Sequence, residues 1–142
     1  MSKDFRVRFQ VCWADLDANG HMANRAYVDY ATQTRFVYIA SRGFTPGDFR
    51  KHGVGPVILE ERLRYFKELM FLEEFEADFM LGEMSDDGSR FTIRNRFFRG
   101  ETLCCEMVTN GAWFSLQSRK IQPPPEKLKE AMLALPRFEV GV

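Results

Sequence analysis

Five side chains able to do chemistry fall within ten residues: Asp15, Asp17, Asn19, His21 and Asn24. A carboxylate such as Asp17 can take a proton from water or attack a carbonyl carbon directly. An imidazole such as His21 can orient an acid, bind substrate or move a proton. A helix beginning beside them would present unpaired N–H groups and a field that favours negative charge, which stabilises a carbonyl oxygen as it becomes an oxyanion. Plainer roles compete with each of these. Asp15 and Asp17 can hydrogen-bond a turn backbone, His21 can be a structural donor, and Asn24 can cap a helix. The cluster is rich in oxygen, yet it lacks the DxDxDG spacing with a glutamate at position 12 that a calcium loop requires.

The flanking pattern places this cluster between a strand and a helix. Phe5, Val7, Phe9 and Val11 alternate with Arg6, Arg8 and Gln10, as in a half-buried strand. ADLDANGH, residues 14 to 21, reads as a turn. From Asn24, a plausible N-cap, the period becomes helical and continues to just before Gly43. Tyr27, Ala31, Thr34 and Tyr38 line one face, with Ala26, Tyr30, Val37 and Ala40 beside it, while Asp29 and Arg35 are expected toward solvent. The apolar arc is wide for a helix with one wet side, so a sheet wrapped around it is the expected partner.

Residues 43 to 55 read as a loop with one short helical turn. Residues 56 to 68 read as extended, with helix as the competing assignment because neither alternating face is clean. Further strands are expected over 73–84, 90–98, 102–107 and 112–116, the last two separate or one bulged strand around Asn110-Gly111. EKLKEAMLAL after the three prolines is a short amphipathic helix, about 125–135, and the last six residues read as loose. The expected fold is α+β: one domain over 1–142 with a core at about 5–120, and a curved antiparallel sheet clasping a long central helix. Edge strands of such a sheet invite pairing with another subunit.

Composition excludes several alternatives. The chain has 142 residues, enough for one domain with a self-sufficient core. Lys plus Arg and Asp plus Glu both number 20, so there is no basic footprint for nucleic acid. Cys12, Cys104 and Cys105 make an odd set with an adjacent pair, a poor disulfide framework that suits a reducing compartment. No CxxC spacing exists, and histidine occurs only at 21 and 52, so no metal site is expected. No signal-like or membrane-spanning run is present, so a cytoplasmic location without membrane insertion is expected.

The segment WADLDANGHMANRAYVDYATQTR, residues 13 to 35, resembles the signature of the hot-dog-fold thioesterases, in their 4-hydroxybenzoyl-CoA and acyl-CoA thioesterase branch. The shared pattern Asp-x-Asp-x-x-Gly-His-x-x-Asn-x-x-Tyr is met by Asp15, Asp17, Gly20, His21, Asn24 and Tyr27. The resemblance implies hydrolysis of an acyl thioester to an acid and a free thiol. Asp17 would be the nucleophile or general base, His21 and Asn24 would join it in catalysis, and the backbone N–H near Asn24 would polarise the carbonyl. Gly20, Tyr27 and Tyr65 would contact substrate, with Gly20 allowing close approach. It further implies an acyl-CoA or acyl-carrier-protein substrate, a homodimer or dimer of dimers with the site at the subunit interface, and no cofactor. Many relatives carry Asn-Asn where this chain has Ala23-Asn24, which removes one loop amide and alters how His21 is held.

Other residues fit less sharply. Glu60 and Glu61 are a reserve catalytic pair, and Tyr65 and Phe66 candidate walls of an acyl tunnel. Arg94, Arg96 and Arg99 suit either phosphate contacts or a solvated sheet face. Cys104-Cys105 lacks a neighbouring histidine, and strand alternation sends the two thiols to opposite faces. Two other functions remain open on these residues: an acyl-thioester hydratase or dehydratase, and a non-catalytic acyl-thioester-binding protein.

Overall fold

In the computed structural model, which describes residues 4–141, one antiparallel sheet curves around a long helix. The strands are β1 (Arg6–Gln10), β2 (Val54–Tyr65), β3 (Glu74–Asp78), β4 (Met80–Met84), β5 (Arg90–Arg99) and β6 (Thr102–Ser115). The helices are α1 (Asn24–Ser41), α2 (Pro46–His52) and α3 (Glu126–Leu133). Spatial order is β1-β3-β5-β6-β2, with β4 also paired to β5. A short 3-10 turn, Trp13–Asp15, follows β1. Among the described residues no helix is long and apolar enough to cross a membrane.

Expected and observed elements differ where register matters. Residues 54–65 form a strand whose two faces looked mixed because a bulge lies between Ile58 and Glu60. Before it, Pro56 pairs with Trp113; after it, Glu61 and Leu63 pair with Thr109 and Met107. The inward face therefore passes from even to odd positions, as an inserted residue demands. A second irregularity, between Phe97 and Phe98 on β5, leaves Cys104 unmatched, and both Cys104 and Cys105 are fully buried rather than on opposite faces. The single strand expected over 73–84 divides at Phe79, where Ala77, Asp78 and Phe79 are all buried. β6 is one continuous strand through Asn110-Gly111.

Two smaller expectations also change. The helical turn after Gly43 is a full helix, α2, closed by a capping box in which Thr45 and Asp48 exchange side-chain and backbone bonds. The chain end is not loose through residue 138: the Phe138 N–H donates to the Leu81 carbonyl, and Arg137 Nη2 donates to that of Gly82. The tail packs closely on Gly82: a Cβ there would stand 2.5 Å from Val140 Cγ2 and would push the tail side chains aside.

The core divides along α1. Its first half packs Ala26, Tyr27 and Ala31 on Phe75, Ala77, Phe97, Cys104, Cys105 and Met107. Its second half packs Tyr38 and Ile39 with Phe79, Ile93 and Trp113 and with Leu128, Ala131 and Met132 of α3. Between the two lies a buried polar layer of Thr34, Arg35, Asp78, Asn95 and Thr109. Arg35, expected toward solvent, is only 7% exposed. Its Nε donates to Asn95 Oδ1 and its Nη2 to Thr109 Oγ1, both at 2.9 Å.

Candidate active site

Asp17 and His21 face each other across a four-residue turn. The Gly20 N–H donates to the Asp17 carbonyl at 3.0 Å, and the Asp17 N–H donates to the His21 carbonyl at 2.8 Å. Asp17 Oδ1 accepts the N–H groups of Asn19 (2.8 Å) and His21 (3.1 Å). One carboxylate oxygen is thus fixed by the backbone, as an Asx turn does. Its other oxygen, Oδ2, makes no hydrogen bond among the described residues. Gly20 has φ +76° with open space where a Cβ would stand, so the turn needs glycine for its backbone conformation.

Asp15 has a separate task. The Tyr30 hydroxyl donates to its Oδ2 at 2.5 Å, and Arg25 lies 3.9 Å from its Oδ1. The Asp15 carbonyl accepts the Ala23 N–H at 2.7 Å. Asp15 thereby ties the turn to the first two turns of α1. Burial, then the bond to Asp15, pushes the Tyr30 phenol far above its ordinary pKa, so it remains a donor.

The cap of α1 is Ala23, not Asn24, and no side chain caps it. Asn24 is the first helical residue, so its N–H and that of Arg25 have no intrahelical acceptor. Uncapped donors at the wall of a cavity are suited to an incoming carbonyl oxygen.

The second wall comes from far along the chain. The Met22 N–H donates to the Leu69 carbonyl at 2.7 Å, and His21 forms an isolated bridge with Met70. These contacts lay the segment after β2 against the turn. Asp17, His21, Met22, Asn24, Tyr27, Tyr65, Phe66, Lys67 and Glu68 together line an open cavity of about 320 Å³. Tyr27, 2% exposed, meets the Tyr65 and Phe97 rings edge-on at 5.3 and 5.2 Å. Burial pushes its phenol well above the ordinary value, so it too is neutral.

Of the residues singled out in the sequence, Asp17, His21, Asn24, Tyr27 and Tyr65 meet in this cavity, with Phe66, while Gly20 shapes the turn behind it. Lys67 and Glu68 were missed. Nothing in their own neighbourhood marks them, since only the long-range pairing to Met22 and His21 brings them in. The Glu68 carboxyl is held below its ordinary pKa, first by its own backbone N–H and then by the charges of His21, Arg99 and Lys67. Glu60 and Glu61 lie outside the cavity; Glu60 accepts from Asn110 Nδ2 at 2.9 Å. The three arginines also lie outside it. Arg96 is paired with Asp78 at 2.7 Å, Arg99 donates to the Glu68 carbonyl, and Arg94 stacks on Phe138. Burial pushes the Cys105 thiol up to about 12, which leaves it protonated and unreactive. Among the described residues no three His, Cys, Asp or Glu are arranged to hold a metal ion.

A curved antiparallel sheet around one long helix, with a polar turn at the helix start, is the hot-dog architecture. The sequence profile of the Thioesterase-like superfamily matches residues 11–132, and the chain belongs to that superfamily. No curated protein sequence matches it. Among solved structures it is similar to a hypothetical protein of Aquifex aeolicus, with 25% identity and TM-score 0.83 over 90% of this chain and 98% of that one. A hypothetical protein of Staphylococcus aureus, solved in complex with CoA, aligns at TM-score 0.84 and 17% identity over 92% of this chain and 82% of the other. A 1,4-dihydroxy-2-naphthoyl-CoA thioesterase of Synechocystis aligns at TM-score 0.82 and 16% identity, covering 94% and 98%.

Proposed function

We propose that the chain hydrolyses acyl-CoA thioesters, with Asp17 as the catalytic carboxylate. The observation that carries this reading is one cavity holding the Asp17 carboxylate, His21 and the uncapped start of α1. The thioester oxygen would lie against the N–H groups of Asn24 and Arg25. Asp17 Oδ2 then either attacks the carbonyl carbon, giving an anhydride that water opens, or takes the proton of an attacking water. In both cases the C–S bond breaks, the thiolate leaves and is protonated, and the acid departs as a carboxylate. His21 and Glu68 stand where the departing thiolate and its proton can be managed. Tyr27, Tyr65 and Phe66 supply the apolar surface for the acyl group, and Lys67 a cation for the carrier. The CoA bound by the Staphylococcus aureus protein and the aryl-CoA activity named for the Synechocystis protein agree with this reading.

The assembly we propose is a homodimer across the edge of β2, which among the described residues pairs only with β6. Leu59, Tyr65 and Phe66 on this strand and just after it are 42 to 55% exposed. A second copy there would cover them and border the Tyr65–Glu68 wall of the cavity. The test is thiol release from short, medium, long and aromatic acyl-CoAs by wild type and Asp17→Asn, with mass measured in solution. Release that depends on Asp17 supports the assignment; full activity in a folded Asp17→Asn protein removes Asp17 from the mechanism.

A further inference from the structure

A second cavity, of about 100 Å³, lies farther along α1. Thr32, Arg35, Phe36 and Ile39 of the helix face it, 8 to 15 positions beyond Asn24. At ~1.5 Å per residue this places it roughly 12–22 Å from the helix start. Its opposite walls are Ile58, Phe79, Phe91, Ile93, Trp113 and Met132. The mouth lies between α1 and β2, beside the edge that the proposed second copy would border, and Thr32, Pro56 and Ile58 are exposed there in the single chain.

Two donors in these apolar walls lack a full complement of acceptors. Arg35 is buried, and its hydrogen-bond partners, Asn95 and Thr109, are both neutral. Among the described residues Nη1 makes no hydrogen bond, and no carboxylate lies within ion-pair distance of the guanidinium. Glu61 acts on it only from farther away. Burial pulls its pKa down to about 10, so at neutral pH it still carries its charge. A buried charge held by neutral partners, with its nearest carboxylate beyond ion-pair distance, is costly, and an anion reaching the free Nη1 would offset part of that cost. The other donor is Trp113 Nε1, in a side chain 1% exposed and without any acceptor. Buried indole N–H groups ordinarily find one.

We propose that this cavity binds a small carboxylic acid with a compact apolar or aromatic body, its carboxylate held by Arg35 and its body packed among the Phe, Ile and Trp walls. A guanidinium meets a carboxylate in a planar, two-point geometry that a neutral amide cannot reproduce. The inference rests on the surroundings of Arg35 and Trp113 and does not require the thioesterase reading.

The experiment is titration of the full chain with benzoate and with benzamide, followed by Trp113 fluorescence in a Trp13→Phe background. Saturable benzoate binding at least about tenfold tighter than benzamide is expected. Arg35→Gln should weaken benzoate by about tenfold or more, while Asp17→Asn should leave it unchanged. Equal binding of the two compounds, or no saturation in folded protein, overturns the proposal, as does loss of binding in Asp17→Asn. If Arg35→Gln does not fold, the benzoate and benzamide comparison decides alone. None of these outcomes depends on whether thioesters are hydrolysed, so the two readings fail separately.

Discussion

The two halves of α1 solve opposite problems with polar groups. At its start, Asp17 is exposed and fixed through one oxygen by two backbone N–H groups, with the other oxygen free. Fifteen to twenty residues on, Arg35 is buried and held through side chains of two other strands. The first arrangement costs little, because water solvates the charge and the turn supplies the bonds. The second exposes the fold to a desolvation penalty, offset by the Asn95 and Thr109 contacts and by the more distant Glu61 charge. Changes at the start should therefore alter chemistry and spare stability, whereas changes in the middle should do the reverse.

The largest effect that would break this contrast concerns Asp17. Asp17→Asn keeps the side chain's size and an Oδ1 acceptor for the turn, so the fold should survive. Thiol release should fall by about 10²–10⁴-fold, the range for loss of a positioned acid–base group. A mutant that unfolds at lower urea concentration by a wide margin would show that the turn, and not the chemistry, is what Asp17 serves.

Next comes Asn95→Ala. It removes the acceptor for Arg35 Nε and the donor, at 2.7 Å, to the Asp78 carbonyl. A hydrogen bond to a charged group contributes about 1.5–3 kcal/mol, and a loss of at least that size is expected in urea unfolding. Activity per folded molecule should stay near wild type. A large drop in turnover with unchanged stability would invert the comparison.

Tyr30→Phe tests the seam between the halves. The Tyr30 hydroxyl is the tie from α1 to Asp15, and Asp15 in turn holds Ala23 at the helix cap. Its loss should cost about 1–2 kcal/mol, below the Asn95 effect because the pair is only part-buried. The cavity should loosen as well, raising KM for thioesters more than it lowers kcat. No change in either would leave Asp15 without a positioning role.

This contrast also explains what could be read from the sequence. The arrangement at the start of α1 was legible because its polar residues are contiguous: Asp15 through Tyr27 is one stretch, and its turn and helix follow from local residue types. The helix, the amphipathic α3 and the clasping sheet were legible for the same reason. Arg35 was not, since its helical neighbours predict a wet position and only Asn95 and Thr109, 60 and 74 residues away, supply the bonds that allow burial. The bulges near Leu59 and Cys104 were hidden likewise. A one-residue slip in register depends on the partner strand, and it reverses which side chains point inward. Lys67 and Glu68 entered the cavity only through pairing with the turn 46 residues or so earlier.

The smallest effect lies beyond the far end of α1, at α2. There Thr45 donates both its N–H (2.8 Å) and its hydroxyl (2.9 Å) to Asp48 Oδ2. These bonds hold the Asp48 carboxyl below the usual carboxylate range. A depressed folded-state pKa contributes stability that is present above the unfolded value and is lost as pH falls through the folded one. The difference in stability between wild type and Asp48→Asn should thus be steady near neutrality and shrink in acid, as pH falls past the ordinary carboxylate range and through the lowered folded-state value. Thr45→Ala should cost about 1 kcal/mol at neutral pH, as removal of an N-cap does. Because Phe44 and Phe49 on either side of this cap pack into the second half of the core, the loss should show in unfolding and not in thiol release. If Thr45→Ala instead impaired hydrolysis at unchanged stability, the far half of α1 would be coupled to the cavity at its start, and the division of labour between the two halves would be wrong.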